Sequence, residues 1–189
     1  MALVAWLLVL IAGGAGLRML LFPVGASRSS RDRYAEERAQ QPAEIASGSL
    51  VLSEFYLRCD IPRKLGARVD QVYRTPEAVL VPVDTKVRYR REVRFEDVVE
   101  LSVQASVLRH TRSPDRPYGM VASWGYVRVA PPDGGTVTYL KTPLLDDTAL
   151  VQLYERHFEL LAGAPARPAS AQRTCVHCPQ RGRCPTPAS

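Results

Sequence analysis

Asp70, Asp84 and Lys86 are the residues of this chain whose types and spacing suit a chemical reaction. Asp84 and Lys86 stand either side of Thr85, and Asp70 closes the segment Gly66-Ala67-Arg68-Val69-Asp70 fourteen residues before Asp84. Two carboxylates can hold Mg²⁺ or Mn²⁺ through oxygen. A lysine beside them can orient a water or offset charge that develops on a phosphate. That is equipment for metal-assisted hydrolysis of a phosphodiester. The same triplet also serves an exposed hairpin as ordinary surface charge, so the reading depends on the elements around it.

Asp84 ends Ala78-Val79-Leu80-Val81-Pro82-Val83, an apolar, β-branched run that predicts a buried strand. Residues 67–73 are also strand-like, and Thr75-Pro76-Glu77 supplies the turn of a hairpin. Alternation along the strand puts Asp84 and Lys86 on one face and Thr85 on the other. Downstream, Val99, Val103 and Val107 recur at helical spacing and predict a helix over 98–109, with Asp97, Glu100 and Gln104 along one stripe. Leu50 to Leu57 reads as a strand or a helix start; its Glu54 is a surface glutamate or an acid contributed to the metal shell. Residues 111–117 predict a loop, and residues 120–130 and 136–140 a hairpin around Pro131-Pro132-Asp133-Gly134-Gly135. Asp147 is expected to cap a helix over 148–162 with Leu150, Leu153, Tyr154, Phe158 and Leu161 as its apolar face. The fold class is α/β.

These residues resemble the motifs of the PD-(D/E)XK nuclease superfamily, and within it the RecB-like branch that includes the CRISPR-associated adaptation exonuclease. In that family one strand carries G-x-x-D, the next D/E-x-K, a following helix Q-x-x-x-Y, and the chain runs on to a C-terminal cysteine cluster. Here Asp70 follows Gly66 by four positions, and Asp84-Thr85-Lys86 matches in full. Glu100 occupies the place of the family glutamine and Gln104 that of the tyrosine, and Trp124 to Arg128 looks like the late strand. The resemblance spans residues 47–184 and implies a restriction-endonuclease-like mixed sheet flanked by helices. It also implies roles: Asp70, Asp84 and the Thr85 backbone carbonyl on Mg²⁺ or Mn²⁺, Lys86 assisting the attacking water, and Glu100 or Gln104 positioning the substrate or the lysine.

Cys175, Cys178 and Cys184 form C-x₂-C-x₅-C, a spacing that lets one turn of backbone present two thiolates to one metal. Three clustered thiolates need one more ligand, and Cys59 is the remaining cysteine. By resemblance the four hold a [4Fe-4S] cluster that staples the C-terminus to the domain. Zn²⁺ is the alternative, with His177 as a possible nitrogen ligand, and disulfides would be the reading for a secreted chain.

Compartment is argued from the N-terminus. Residues 2–17 carry no charge, Arg18 interrupts, and residues 19–24 are again apolar. About 20 apolar residues span a bilayer, so residues 3–22 suffice if Arg18 snorkels to the interface. No basic residue precedes Arg18, as a cleaved signal peptide would require, whereas Arg28, Arg31 and Arg33 follow. The positive-inside rule then predicts a single-pass signal anchor in the inner (plasma) membrane with the body in the cytoplasm, where thiolates stay reduced. The expected organisation is an anchor over 1–24, a juxtamembrane linker over 25–47, the nuclease-like domain over 48–163 and a cysteine tail over 164–189.

A net charge of +6 suits a polyanionic partner, and Arg88, Tyr89, Arg90 and Arg91 just after Lys86 could clamp a nucleic-acid strand. A solvated basic face is the plainer account of the same residues. None of His110, His157 and His177 has a Ser or Cys partner at triad spacing, and no glycine-rich phosphate loop is present. The expectation is a membrane-anchored, metal-dependent nuclease acting on DNA. The alternative is a non-catalytic scaffold that keeps the fold and a structural metal cluster.

Overall fold

The computed structural model describes residues 30–112, 114, 116–117, 119–165, 178 and 181–183. The chain divides into two compact units, Met1–Gln40 and Gln41–Ser189. In the first, helix α1 (Ser30–Gln40) is polar throughout and stops just before Pro42, as the restriction that proline places on its predecessor requires. The expected anchor over 1–24 lies outside the described residues, and among those described no helix is long and apolar enough to cross a membrane.

The second unit runs α2 (Ala43–Ala46), β1 (Ser49–Cys59), β2 (Leu65–Arg74), β3 (Val79–Val87), α3 (Phe95–His110), β4 (Met120–Val121), β5 (Trp124–Ala130), β6 (Thr138–Pro143) and α4 (Asp147–Leu161). Among the described residues six strands form one mixed sheet in the order β1-β2-β3-β5-β6, with β4 beside the start of β3. β1, β2 and β3 are successive antiparallel neighbours, whereas β3 and β5 run parallel. A parallel pair needs a crossover, and α3 supplies it.

Leu80, Val81 and Val83 are wholly buried because β3 is central and covered on both faces, which is why its sequence reads as an unbroken apolar run. On one face Leu57, Val69, Val72 and Leu80 pack against Val107 and Leu108 of α3. On the other, Tyr73, Val81, Val83 and Tyr126 pack against Ile45 of α2. Ile45 is fully buried, so the domain takes in residues 41–47, which the sequence reading assigns to the linker.

One element is settled between its two expected forms, and two differ in detail from expectation. Leu50 to Leu57 is strand, with Leu57 and Cys59 buried and Tyr56 and Arg58 exposed between and beside them. The predicted strand over 120–130 is broken in two: β4 and the Ala122 N–H, which donates to the Leu80 carbonyl at 2.9 Å, lie along the start of β3, and β5 pairs with β3 from Val83 onward in a different register. The cap of α4 is Asp146, which accepts from the Ala149 N–H at 2.8 Å; Asp147 is instead the first helical residue. Its carboxylate accepts from Ser106 Oγ at 3.0 Å and Arg109 Nη1 at 2.8 Å, and lies 2.7 Å from His110 Nε2, fastening α4 to the end of α3. Only Leu150 of the expected apolar face is buried; Leu153, Phe158 and Leu161 are exposed.

Candidate active site

The ladder between β2 and β3 runs from Arg74–Leu80 to Gln71–Val83. One further step would pair Asp70 with Asp84, and there the backbone ladder stops. Instead the Thr85 N–H donates to Asp70 Oδ2 at 2.9 Å, so a side chain takes the place of a main-chain partner. Beyond this point β2 continues with β1 as far as Cys59–Leu65, while β3 continues with β5. The two strands therefore part company at the two aspartates.

Helix α3 lies along the Asp84 face and meets it as a ladder of polar pairs. Gln104 Nε2 donates to Asp84 Oδ1 at 3.1 Å. Lys86 Nζ lies 2.6 Å from Glu100 Oε2. Arg88 grips Asp97 through two bonds of 2.6 and 3.2 Å. Both periodicities are needed: residues 97, 100 and 104 share one stripe of the helix, and residues 84, 86 and 88 share one face of the strand. The stripe rises about 10 Å over seven helical residues and the strand about 13 Å over four, close enough for flexible side chains to bridge.

Asp84 is 1 % exposed. Burial pushes its carboxyl above the usual range, and the Lys86 ammonium pulls against that shift. Asp84 Oδ2 sits 2.8 Å from Lys86 Nζ and is held by that charge-assisted contact, whereas the buried Gln104 Oε1 has no hydrogen-bond partner. Burial works against the Lys86 charge, but Asp84 and Glu100 outweigh it and raise the lysine pKa, so Lys86 is an ammonium. A buried carboxylate beside a second carboxylate fits a hard divalent cation. Among the described residues no three His, Cys, Asp or Glu side chains gather around one point. A cation here would draw on Asp70, Asp84, the Thr85 carbonyl and solvent, the sparse oxygen set that Mg²⁺ accepts.

The basic segment after Lys86 divides. Arg88 is not a free nucleic-acid contact: it is bonded to Asp97 and the Glu92 carbonyl, with 14 % of its side chain exposed. Asp97 Oδ2 also accepts the Arg94 N–H at 2.8 Å, so the arginine–aspartate pair caps the start of α3. Opposite charges nine residues apart across the strand–helix junction were the sequence signal for that pair. Tyr89, Arg90 and Arg91 remain exposed. Glu54 pairs with Arg68 at 2.8 Å and is not drawn to the carboxylates. Cys59 is buried against Leu57 and Val69, burial raises its thiol pKa, and it lines a cavity of about 190 Å³ with Arg58, Asp60, Ile61, His110 and Arg112. Cys178 is a half-buried free thiol, whereas Cys175, Cys184 and His177 lie outside the described residues.

The model of the PD-(D/E)XK nuclease superfamily matches residues 18–185. The chain belongs to that superfamily. No curated protein matches the sequence. A solved structure titled "Crystal structure of SSO0001" matches with 14 % identity and a TM-score of 0.43 over 73 % of this chain. The chain spans 61 % of that structure's length. In this PD-(D/E)XK protein Lys86 meets Glu100 and Asp84 meets Gln104, both partners lying on α3.

Proposed function

We propose that this PD-(D/E)XK protein hydrolyses phosphodiester bonds of DNA with the help of Mg²⁺ or Mn²⁺. The observation that carries the reading is the buried Asp84 carboxylate, paired with Lys86 at 2.8 Å and next to Asp70. Asp70, Asp84 and the Thr85 carbonyl would hold the ion, which when bound polarises the scissile phosphate and makes a water more acidic. Lys86 offsets charge on the phosphate, Glu100 steadies the lysine, and Gln104 orients Asp84. Tyr89, Arg90 and Arg91 offer contacts to the nucleic-acid backbone.

The finer parts of the proposal rest on the sequence. Cys59, Cys175, Cys178 and Cys184 hold a [4Fe-4S] cluster, as in RecB-like nucleases, with Zn²⁺ as the alternative; residues 1–24 anchor the domain to the membrane, facing the cytoplasm. A second reading, a non-catalytic scaffold, is favoured by one contact: Glu100 stands where the family carries a neutral glutamine and neutralises Lys86 at 2.6 Å.

The deciding experiment incubates the full chain with labelled single- and double-stranded DNA and Mn²⁺, beside Lys86→Ala. We expect cleavage by the parent and a loss of about 100-fold or more in the variant, with thermal melting showing that both are folded. Equal cleavage by both removes Lys86 from the mechanism; silence from a folded parent selects the scaffold.

A further inference from the structure

The outer face of the β1–β2 hairpin, turned away from α3, carries an exposed aromatic–arginine cluster. Along β1, Leu57 and Cys59 point into the core, leaving Tyr56 and Arg58 outside; Tyr56 is opposite Arg68 and Arg58 opposite Gly66. Tyr56 is 54 % exposed, a large ring left open on a sheet face. The Arg58 guanidinium carbon lies 5.1 Å from the ring centroid, a cation–π distance. The ring leans diagonally across the hairpin onto Gly66, where an added Cβ would run into the Tyr56 hydroxyl. The glycine of the Gly66–Asp70 segment is therefore the seat of this ring.

Among the described residues Arg58 makes no ion pair. Arg68 pairs with Glu54, but their side chains are 67 and 57 % exposed. A pair so open to water is worth little, and Arg68 can exchange it for a phosphate. Arg68 stands two residues before Asp70, about 7 Å along the strand, so the cluster leads to the first aspartate of the site.

We propose that this face is a binding platform for a single-stranded polynucleotide, with a base stacked at Tyr56 and backbone phosphates on Arg58 and Arg68. The proposal deepens, and rests on, the nuclease reading of Asp70, Asp84 and Lys86. A ring that is 54 % exposed takes a base only when that base is unstacked from its own neighbours, which selects a single strand. A net charge of +6 supplies the complementary field.

The test is fluorescence anisotropy of a labelled oligothymidylate with the full chain in mild detergent and EDTA, where a metal-dependent reaction is off. Tyr56→Ala should weaken binding by about 5- to 150-fold, the range of base–aromatic stacking, while Tyr56→Phe binds like the parent. Gly66→Ala should also weaken it, by tipping the ring without removing aromatic surface or charge. Arg58→Ala should flatten the slope of log affinity against log salt by about 0.7. If Tyr56→Ala and Gly66→Ala bind within twofold of the parent while cleavage remains dependent on Lys86, the platform is wrong and the nuclease reading stands. If the parent never cleaves, yet binding falls with these substitutions, the platform stands and the nuclease reading falls. Equal affinity for a duplex overturns the single-strand assignment.

Discussion

Replacing Gln104 by leucine removes one hydrogen bond and one unpaired oxygen from the same buried side chain. The lost bond, Nε2 to Asp84 Oδ1 at 3.1 Å, is made to an ionisable acceptor. Such bonds contribute about 1.5–3 kcal/mol. Against this, Oε1 is a buried acceptor with no partner, and removing such a group returns about 1–3 kcal/mol. Leucine keeps most of the volume, so no large cavity opens. The two contributions offset, and folding stability should change by no more than about 2 kcal/mol. The site does not share that compensation: Asp84 loses the group that orients it, and loss of such a partner costs about 10- to 100-fold in metal affinity or activity. The assay is cleavage against Mn²⁺ concentration, with chemical denaturation in parallel. A half-saturating Mn²⁺ within twofold of the parent would refute the role given to Gln104; a loss of several kcal/mol in stability would show that its oxygen is satisfied after all.

Arg88→Ala should destabilise the domain by about 3 kcal/mol, because it leaves Asp97, 2 % exposed, as a buried charge without its partner. Thermal melting reads this directly as a drop of about 6–12 °C, whereas a mere nucleic-acid contact would leave the melting temperature alone. Asp147→Asn should cost about 1–2 kcal/mol near neutral pH, discounted for the partial exposure of the cluster. Burial works against the Asp147 charge, but His110, Ser106 and Arg109 outweigh it and hold its pKa below the usual value. A depressed carboxylate stabilises the fold above its unfolded pKa, near 4, and stops doing so as pH falls through the folded value. The gap between parent and Asp147→Asn should therefore be full at about pH 5 and close below about pH 4, followed by urea titration at each pH. Anaerobically purified full chain should be brown, and Cys175→Ser colourless; a colourless parent that carries zinc by elemental analysis selects Zn²⁺ instead.

What could be read from the sequence follows from how local each signal is. Asp84 and Lys86 share a face because a strand alternates, and Asp97, Glu100 and Gln104 share a stripe because a helix turns every 3.6 residues. Those periodicities belong to the chain itself, and they placed Asp84, Lys86, Glu100 and Gln104, four of the five site side chains, with the hairpin turn at Thr75-Pro76-Glu77 bringing Asp70 near.

Only the tertiary structure decided which partner each of these groups meets. Arg88 looks like a nucleic-acid contact beside Tyr89, Arg90 and Arg91, until α3 docks and Asp97 claims it. Asp146 and Asp147 are equivalent as candidate caps, and the choice falls to the one that α3 leaves free, since Ser106, Arg109 and His110 engage Asp147. Glu54 and Tyr56 carry no local sign of their neighbours; a register set by the β1–β2 ladder puts one on Arg68 and lays the other across Gly66. Periodicity sets the direction of a side chain, but contact between segments remote in sequence depends on packing and register, which come only with the folded chain.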